Sequence, residues 1–118
     1  MTIVVGNLGT PEGHAAFDAA VTEAERRKAP LVVVAGPGEP GRDVGELTER
    51  LHTAGVEVRL DPGTGDLADD LVRIALETGA ELLVIGLRRR SPVGKLILGS
   101  GAQRILIEAP CPVLAVKV

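Results

Sequence analysis

Two glycine-bearing loops carry the residues best suited to chemistry. One is Gly6-Asn7-Leu8-Gly9-Thr10, directly after an apolar run at 2–5; the other begins at Gly86 and closes at Gly99-Ser100. Glycines let a phosphate approach the backbone, while free N–H groups and the dipole at a helix start favour an anion. Ser100 adds a hydroxyl donor. The same residues fit plain turns with Ser100 as an ordinary N-cap, and on residue types alone the two readings weigh equally. Arg88-Arg89-Arg90 follow Gly86. A guanidinium forks onto phosphate oxygens, which favours Arg89 as a phosphate ligand over a merely solvated basic loop. Gly94-Lys95 superficially matches a phosphate-binding lysine loop. That motif needs glycine where Arg89 stands and Ser or Thr where Leu96 stands, so the match fails.

Catalytic constellations are not expected. His14 and His52 have no Asp or Cys at a spacing that builds a metal site or a nucleophile. Asp69-Asp70 and Glu23/Glu25 read as solvated helix faces. Cys111, between Pro110 and Pro112, reads as a small residue entering a strand. No catalytic and no metal-binding residue is assigned.

The elements that must position these loops alternate regularly. Residues 2–5 form a β-branched strand, and Thr10-Pro11 is an N-cap followed by proline at the first helical position. A helix at 11–28 places Phe17, Ala20, Val21 and Ala24 on one stripe before Pro30 ends it. The run 31–34 is a continuous apolar strand, covered on both faces. After a turn-rich loop at 36–41, Asp43 is expected to cap a helix with Val44, Leu47, Leu51 and Ala54 at helical spacing, closed by Gly55. A shorter strand at 56–60 lies nearer an edge. Asp66 caps a third helix striped by Leu67, Leu71, Ile74, Ala75 and Thr78 and closed by Gly79. A buried strand at 82–85, a long loop, a helix at about 99–107 and a strand at 113–116 complete the chain. Strands alternating with helices predict a parallel sheet with right-handed crossovers, and ligand binding outside the strands' carboxyl ends.

Composition narrows the function classes. The 118 residues suffice for one domain at 1–118, and a single aromatic residue, Phe17, leaves an almost wholly aliphatic core. A formal net charge of -3 gives little long-range attraction for nucleic acid or anionic lipid, so neither is expected as a partner. One cysteine excludes an internal disulfide framework. No apolar run reaches the roughly 18 residues of a membrane span, and MTIVVGNL reads as a strand, not a signal peptide. The cytoplasm is the expected compartment.

The stretch VIGLRRRSPVGKLILGSGAQRILIEAPCPVLAVKV, residues 84–118, resembles the carboxy-terminal half of universal stress proteins. The opening strand–loop–helix and the GD-x-A run at Gly65, Asp66 and Ala68 fall at the family's places, so the resemblance covers nearly the whole chain and is weakest at 35–51. It implies a doubly wound, parallel five-stranded α/β sandwich of the adenine nucleotide alpha-hydrolase-like (Rossmann-like) kind, with strand order 3-2-1-4-5. In nucleotide-binding members the loop reads glycine, two residues, glycine, nine residues, glycine, then serine or threonine. The corresponding positions here are Gly86, Arg89, Gly99 and Ser100, with Arg89 in place of the second glycine. Many members carry an aspartate after the first strand where this chain has Leu8.

From the resemblance, ATP or another adenine nucleotide is the expected ligand, with magnesium as its natural companion. Gly86, Arg89, Gly99 and Ser100 would hold phosphates and ribose, while Gly6, Asn7, Leu8 and Ala35 would line the base pocket. The family also pairs its last strand with a copy in a second subunit, which implies a homodimer through 113–118, from Val113 to Val118. The rival expectation is a dimeric interaction protein of the same fold that takes no nucleotide, its pocket filled by Leu8 and Arg89.

Overall fold

A computed structural model describes residues 1–38, 40–88 and 99–118. Five strands, β1 (Ile3–Asn7), β2 (Leu31–Ala35), β3 (Val58–Asp61), β4 (Leu82–Leu87) and β5 (Val113–Lys117), alternate with α1 (Pro11–Arg27), α2 (Gly45–Thr53), α3 (Leu67–Thr78) and α4 (Ser100–Glu108). All four strand pairings are parallel, and the sheet order is β3-β2-β1-β4-β5, the order the family resemblance implies.

Strand side chains alternate between two apolar layers, because successive residues point to opposite faces. Ile3, Val5, Leu31, Val33, Leu82 and Val84 pack with Phe17, Ala20 and Ala24 of α1 and Leu51 of α2. Val4, Val32, Val34, Leu83 and Ile85 pack with Leu71 and Ile74 of α3 and Ile105 of α4. Both faces of the inner strands are therefore covered, which is why they read as unbroken apolar runs.

Helix ends follow local chemistry. The Thr10 hydroxyl accepts from the Gly13 N–H at 3.1 Å, ahead of Pro11 at the first helical position. Asp66 accepts from Asp69 N at 3.2 Å, and Gly79 closes α3 in the left-handed conformation. Elsewhere the structure departs from the expected bounds. Val44, not Asp43, is the N-cap of α2; Asp43 Oδ1 accepts from the Gly45 N–H at 2.9 Å just outside the helix. Val56 is buried but not in β3, because its N–H donates to the Leu51 carbonyl at 2.7 Å and closes the turn after α2. Gly99, not Ser100, is the N-cap of α4, so Ser100 is its first helical residue.

Candidate functional site

The chain runs from β1 outward through β2 and β3, then crosses back to β4 and β5 on the other side. The carboxyl ends of β1 and β4 thus flank a switch in strand order, where crevices form in sheets of this kind. A cleft of about 200 Å³ lies there. Gly6 of β1 and Val84, Ile85 and Gly86 of β4 line it from the sheet. Leu8, Glu12, Gly13 and Ala16 line it from the loop after β1 and from α1. Leu67, Ala68 and Leu71 of α3, with Gly101, Ala102 and Ile105 of α4, complete it.

Gly86 is dictated by a close approach. A Cβ there would collide with the Glu12 carbonyl and stand 2.6 Å from the carbonyl carbon, so the first turn of α1 rests directly on the end of β4. Leu8 is wedged in a comparable way. A Cβ on Gly13 would come within 2.6 Å of Leu8 Cβ, and one on Gly36 would collide with Leu8 Cδ2. The leucine side chain is therefore seated between α1 and the backbone after β2.

The eight residues singled out from the sequence are only partly brought together. Gly6, Leu8 and Gly86 line the cleft. Gly99 and Ser100 adjoin it through Gly101 and Ala102, which follow them in α4. Asn7 is engaged elsewhere: its Nδ2 donates to the Arg42 carbonyl and its Oδ1 accepts the Arg42 N–H. Ala35 pairs with Asn7 in register, is exposed, and is not among the cleft-lining residues. Arg89 lies outside the described residues, as do Arg90 and Lys95; Arg88 is described and exposed.

Glu12 is the charged side chain that sequence reasoning missed. It lines the cleft, and its Oε2 is buried with no hydrogen-bond partner among the described residues. No local pattern marks it, because its place depends on α1 crossing β4. Asp70 was also unexpected. The sequence places Asp69-Asp70 on a solvated face, and Asp69 does bond Arg104 at 2.8 Å on the α4 side. Asp70 instead is fully buried. Its carboxylate accepts from Thr64 N at 2.7 Å, Thr64 Oγ1 at 2.8 Å and Arg73 at 3.1 Å. Burial alone would raise its pKa, but the Thr64 amide, the Thr64 hydroxyl and Arg73 together hold it below the ordinary carboxylate value. The signal was present: Asp70 stands three residues after Leu67 and four before Ile74, on the apolar stripe itself.

Arg104 ties together the two helices that form one wall. It bonds Asp69 of α3 at 2.8 Å and Glu108 of its own helix at 2.9 Å, and the Asp69 hydrogen bond leads in raising its pKa. Cys111 packs at the margin of the α3/α4 layer, where burial pushes its thiol pKa up, away from a reactive thiolate. His14 is half-buried in α1 and His52 exposed at the end of α2, and neither lines the cleft. Among the described residues no three His, Cys, Asp or Glu side chains group to hold a metal ion. None of the described helices is long and apolar enough to cross a membrane.

Comparison with known proteins agrees with this architecture. The pattern of the Universal stress protein family matches residues 37–117. A universal stress protein of Mycolicibacterium smegmatis is 44% identical over 126 residues, covering 98% of this chain and 96% of the relative. A solved universal stress protein from Archaeoglobus fulgidus superposes with a TM-score of 0.71 at 30% identity, covering 99% of this chain and 98% of its own. A universal stress protein solved in complex with cAMP gives a TM-score of 0.66 at 26% identity, covering 99% and 96% of the two chains. With the family pattern spanning most of its length and a relative alike over nearly all of it, the chain belongs to the universal stress protein family.

Proposed function

We propose that this chain is a binding module that responds to an adenine nucleotide and signals as a homodimer, with hydrolysis slow or absent. The observation that supports it most is the cleft at the strand-order switch, floored by Gly6 and Gly86 and bounded by the opening of α4. A helix start beside it suits an anionic group. Gly86, Gly99 and Ser100 would hold the phosphate and ribose end, with Gly6 and Leu8 against the base. The relative in complex with cAMP supports an adenine ring as the ligand class. Slow chemistry fits the lining, which among the described residues holds no histidine and one carboxylate.

One observation favours a second reading, a dimeric interaction protein that takes no nucleotide. Leu8 occupies the space between Gly13 and Gly36, where many family members carry an aspartate near the nucleotide. Equilibrium binding of ATP, ADP and AMP with magnesium separates the two. Submillimolar affinity for at least one is expected; no binding of any at millimolar concentration leaves the interaction protein. The chain has neither Trp nor Tyr, so nucleotide carried through purification would dominate its ultraviolet absorbance.

A further inference from the structure

Given the nucleotide-binding reading, on which this rests, we infer that Asp70 is a positioning residue for the cleft: through Thr64 it fixes the α3 wall against which the ligand packs. That wall is made by Leu67, Ala68 and Leu71, on the first two turns of α3. Leu67 closes directly on β1, since a Cβ on Gly6 would stand 3.0 Å from its Cδ2. Neither Asp70 nor Thr64 is among the lining residues, so what they do for a ligand passes through this wall.

The fully buried Asp70 carboxylate uses both oxygens on the loop before its helix. Oδ2 accepts from the Thr64 N–H at 2.7 Å and Oδ1 from the Thr64 hydroxyl at 2.8 Å, with Arg73 donating to Oδ1 at 3.1 Å. The other end of that loop is held as tightly. Asp61 Oδ1 accepts from the Gly63 N–H at 2.9 Å, and Gly63 takes a left-handed φ of 68°. A Cβ there would stand 2.8 Å from the Ala35 carbonyl oxygen and 2.9 Å from Asp70 Oδ2, so only glycine lets the loop pass between β2 and the carboxylate. The first turns of α3 are thereby tied to the carboxyl end of the sheet. Stability alone does not call for an ion here. Burying a carboxylate costs desolvation that an apolar side chain of similar volume avoids. What the clasp adds is one fixed register between loop, sheet and α3, and a displaced wall packs less well against a ligand.

Calorimetric titration of AMP and of ATP with magnesium, on the wild type, Thr64→Val and Thr64→Ser, tests this. Valine keeps the shape and the backbone N–H but removes the hydroxyl donor; serine keeps both donors. In variants shown by urea denaturation to be folded, Thr64→Val should weaken the tighter ligand by about threefold or more, and Thr64→Ser by less than about twofold. Hydrogen exchange on the wild type reads the same coupling in reverse, because a clasp that favours binding must be favoured by it. Bound ligand should slow exchange of the Thr64 amide about threefold more than that of the Gly45 amide, which is bonded to Asp43 outside the cleft. A folded Thr64→Val of wild-type affinity, or Thr64 and Gly45 amides slowed alike, overturns the inference and leaves nucleotide binding intact. If Thr64→Val does not fold, the exchange measurement decides. Absence of binding by both ligands at millimolar concentration instead sinks the nucleotide reading, and this inference with it.

Discussion

The Asn7 side chain grips the Arg42 peptide at both ends, its Nδ2 donating to the carbonyl at 2.9 Å and its Oδ1 accepting the N–H at 2.8 Å. Arg42 in turn donates to Asp18 of α1 at 2.9 Å. The end of β1 thereby fastens the loop after β2 to the first helix. Asn7 is a positioning residue in this fold, holding the Arg42 end of the loop between β2 and α2.

Asn7→Ala removes both bonds and should destabilise the protein by about 1–2 kcal/mol, since each net hydrogen bond contributes about 1 kcal/mol. Asn7→Asp should cost at least as much, because the lost donor leaves an oxygen facing the Arg42 carbonyl. Urea denaturation measures the stability, and limited proteolysis should show faster cleavage between β2 and α2. Unchanged stability and cleavage in Asn7→Ala would mean the grip contributes nothing.

Gly86→Ala separates a structural glycine from a merely phosphate-cradling one. Its Cβ would meet the Glu12 backbone, which cannot swing aside as a flexible side chain would. Destabilisation of about 1–3 kcal/mol is expected, as for other overpacked sites. Wild-type stability together with lost nucleotide affinity would assign the glycine to the ligand alone.

Much of this fold was legible because its signals are local. Thr10, Asp66 and Gly79 act within a few residues of their own position, and each stands at the helix end where its chemistry places it. The inner strands announced themselves by apolar runs that only two covered faces can accommodate. Val56 misled because its side chain keeps step with Val58 while its N–H belongs to the turn; side-chain period does not report backbone pairing. Asp70 was misplaced by residue type, although its spacing from Leu67 and Ile74 puts it on the buried stripe. For Glu12 and Asn7 nothing local was available. Their roles come from elements distant in sequence that the sheet brings together.

Asp70 should make stability depend on acid. Its folded pKa lies below its unfolded value of about 3.9, so it contributes fully above that value and its contribution is lost as pH falls through the lower folded pKa. Asp70→Asn should flatten the fall in stability below about pH 4 and cost about 1–3 kcal/mol at neutral pH, where Thr64 and Arg73 lose their charged partner. Chemical denaturation across pH 2–7 provides both numbers. A parallel pH profile in wild type and variant would show that the carboxylate is not linked to folding.

The proposed dimer depends on β5, which ends the sheet order and whose residues are mostly half-buried. Leu83 N donates to the Pro112 carbonyl and Val118 N to the Leu87 carbonyl, so the even-numbered residues turn their backbone groups toward β4. Bonding groups alternate along a strand, and the N–H groups of Val113, Ala115 and Lys117 therefore face the open edge. An edge with apolar side chains and only Lys117 to blunt it invites pairing with another copy, and one two-fold contact satisfies both edges. Ala115→Pro removes an outward donor and should yield a folded monomer, because the bonds to β4 survive. Val116→Pro removes an inward donor and should also destabilise the fold. Sedimentation equilibrium reads the outcome: the unmodified protein should run at twice 12.2 kDa, and a single 12.2 kDa species across the micromolar range would sink the proposal.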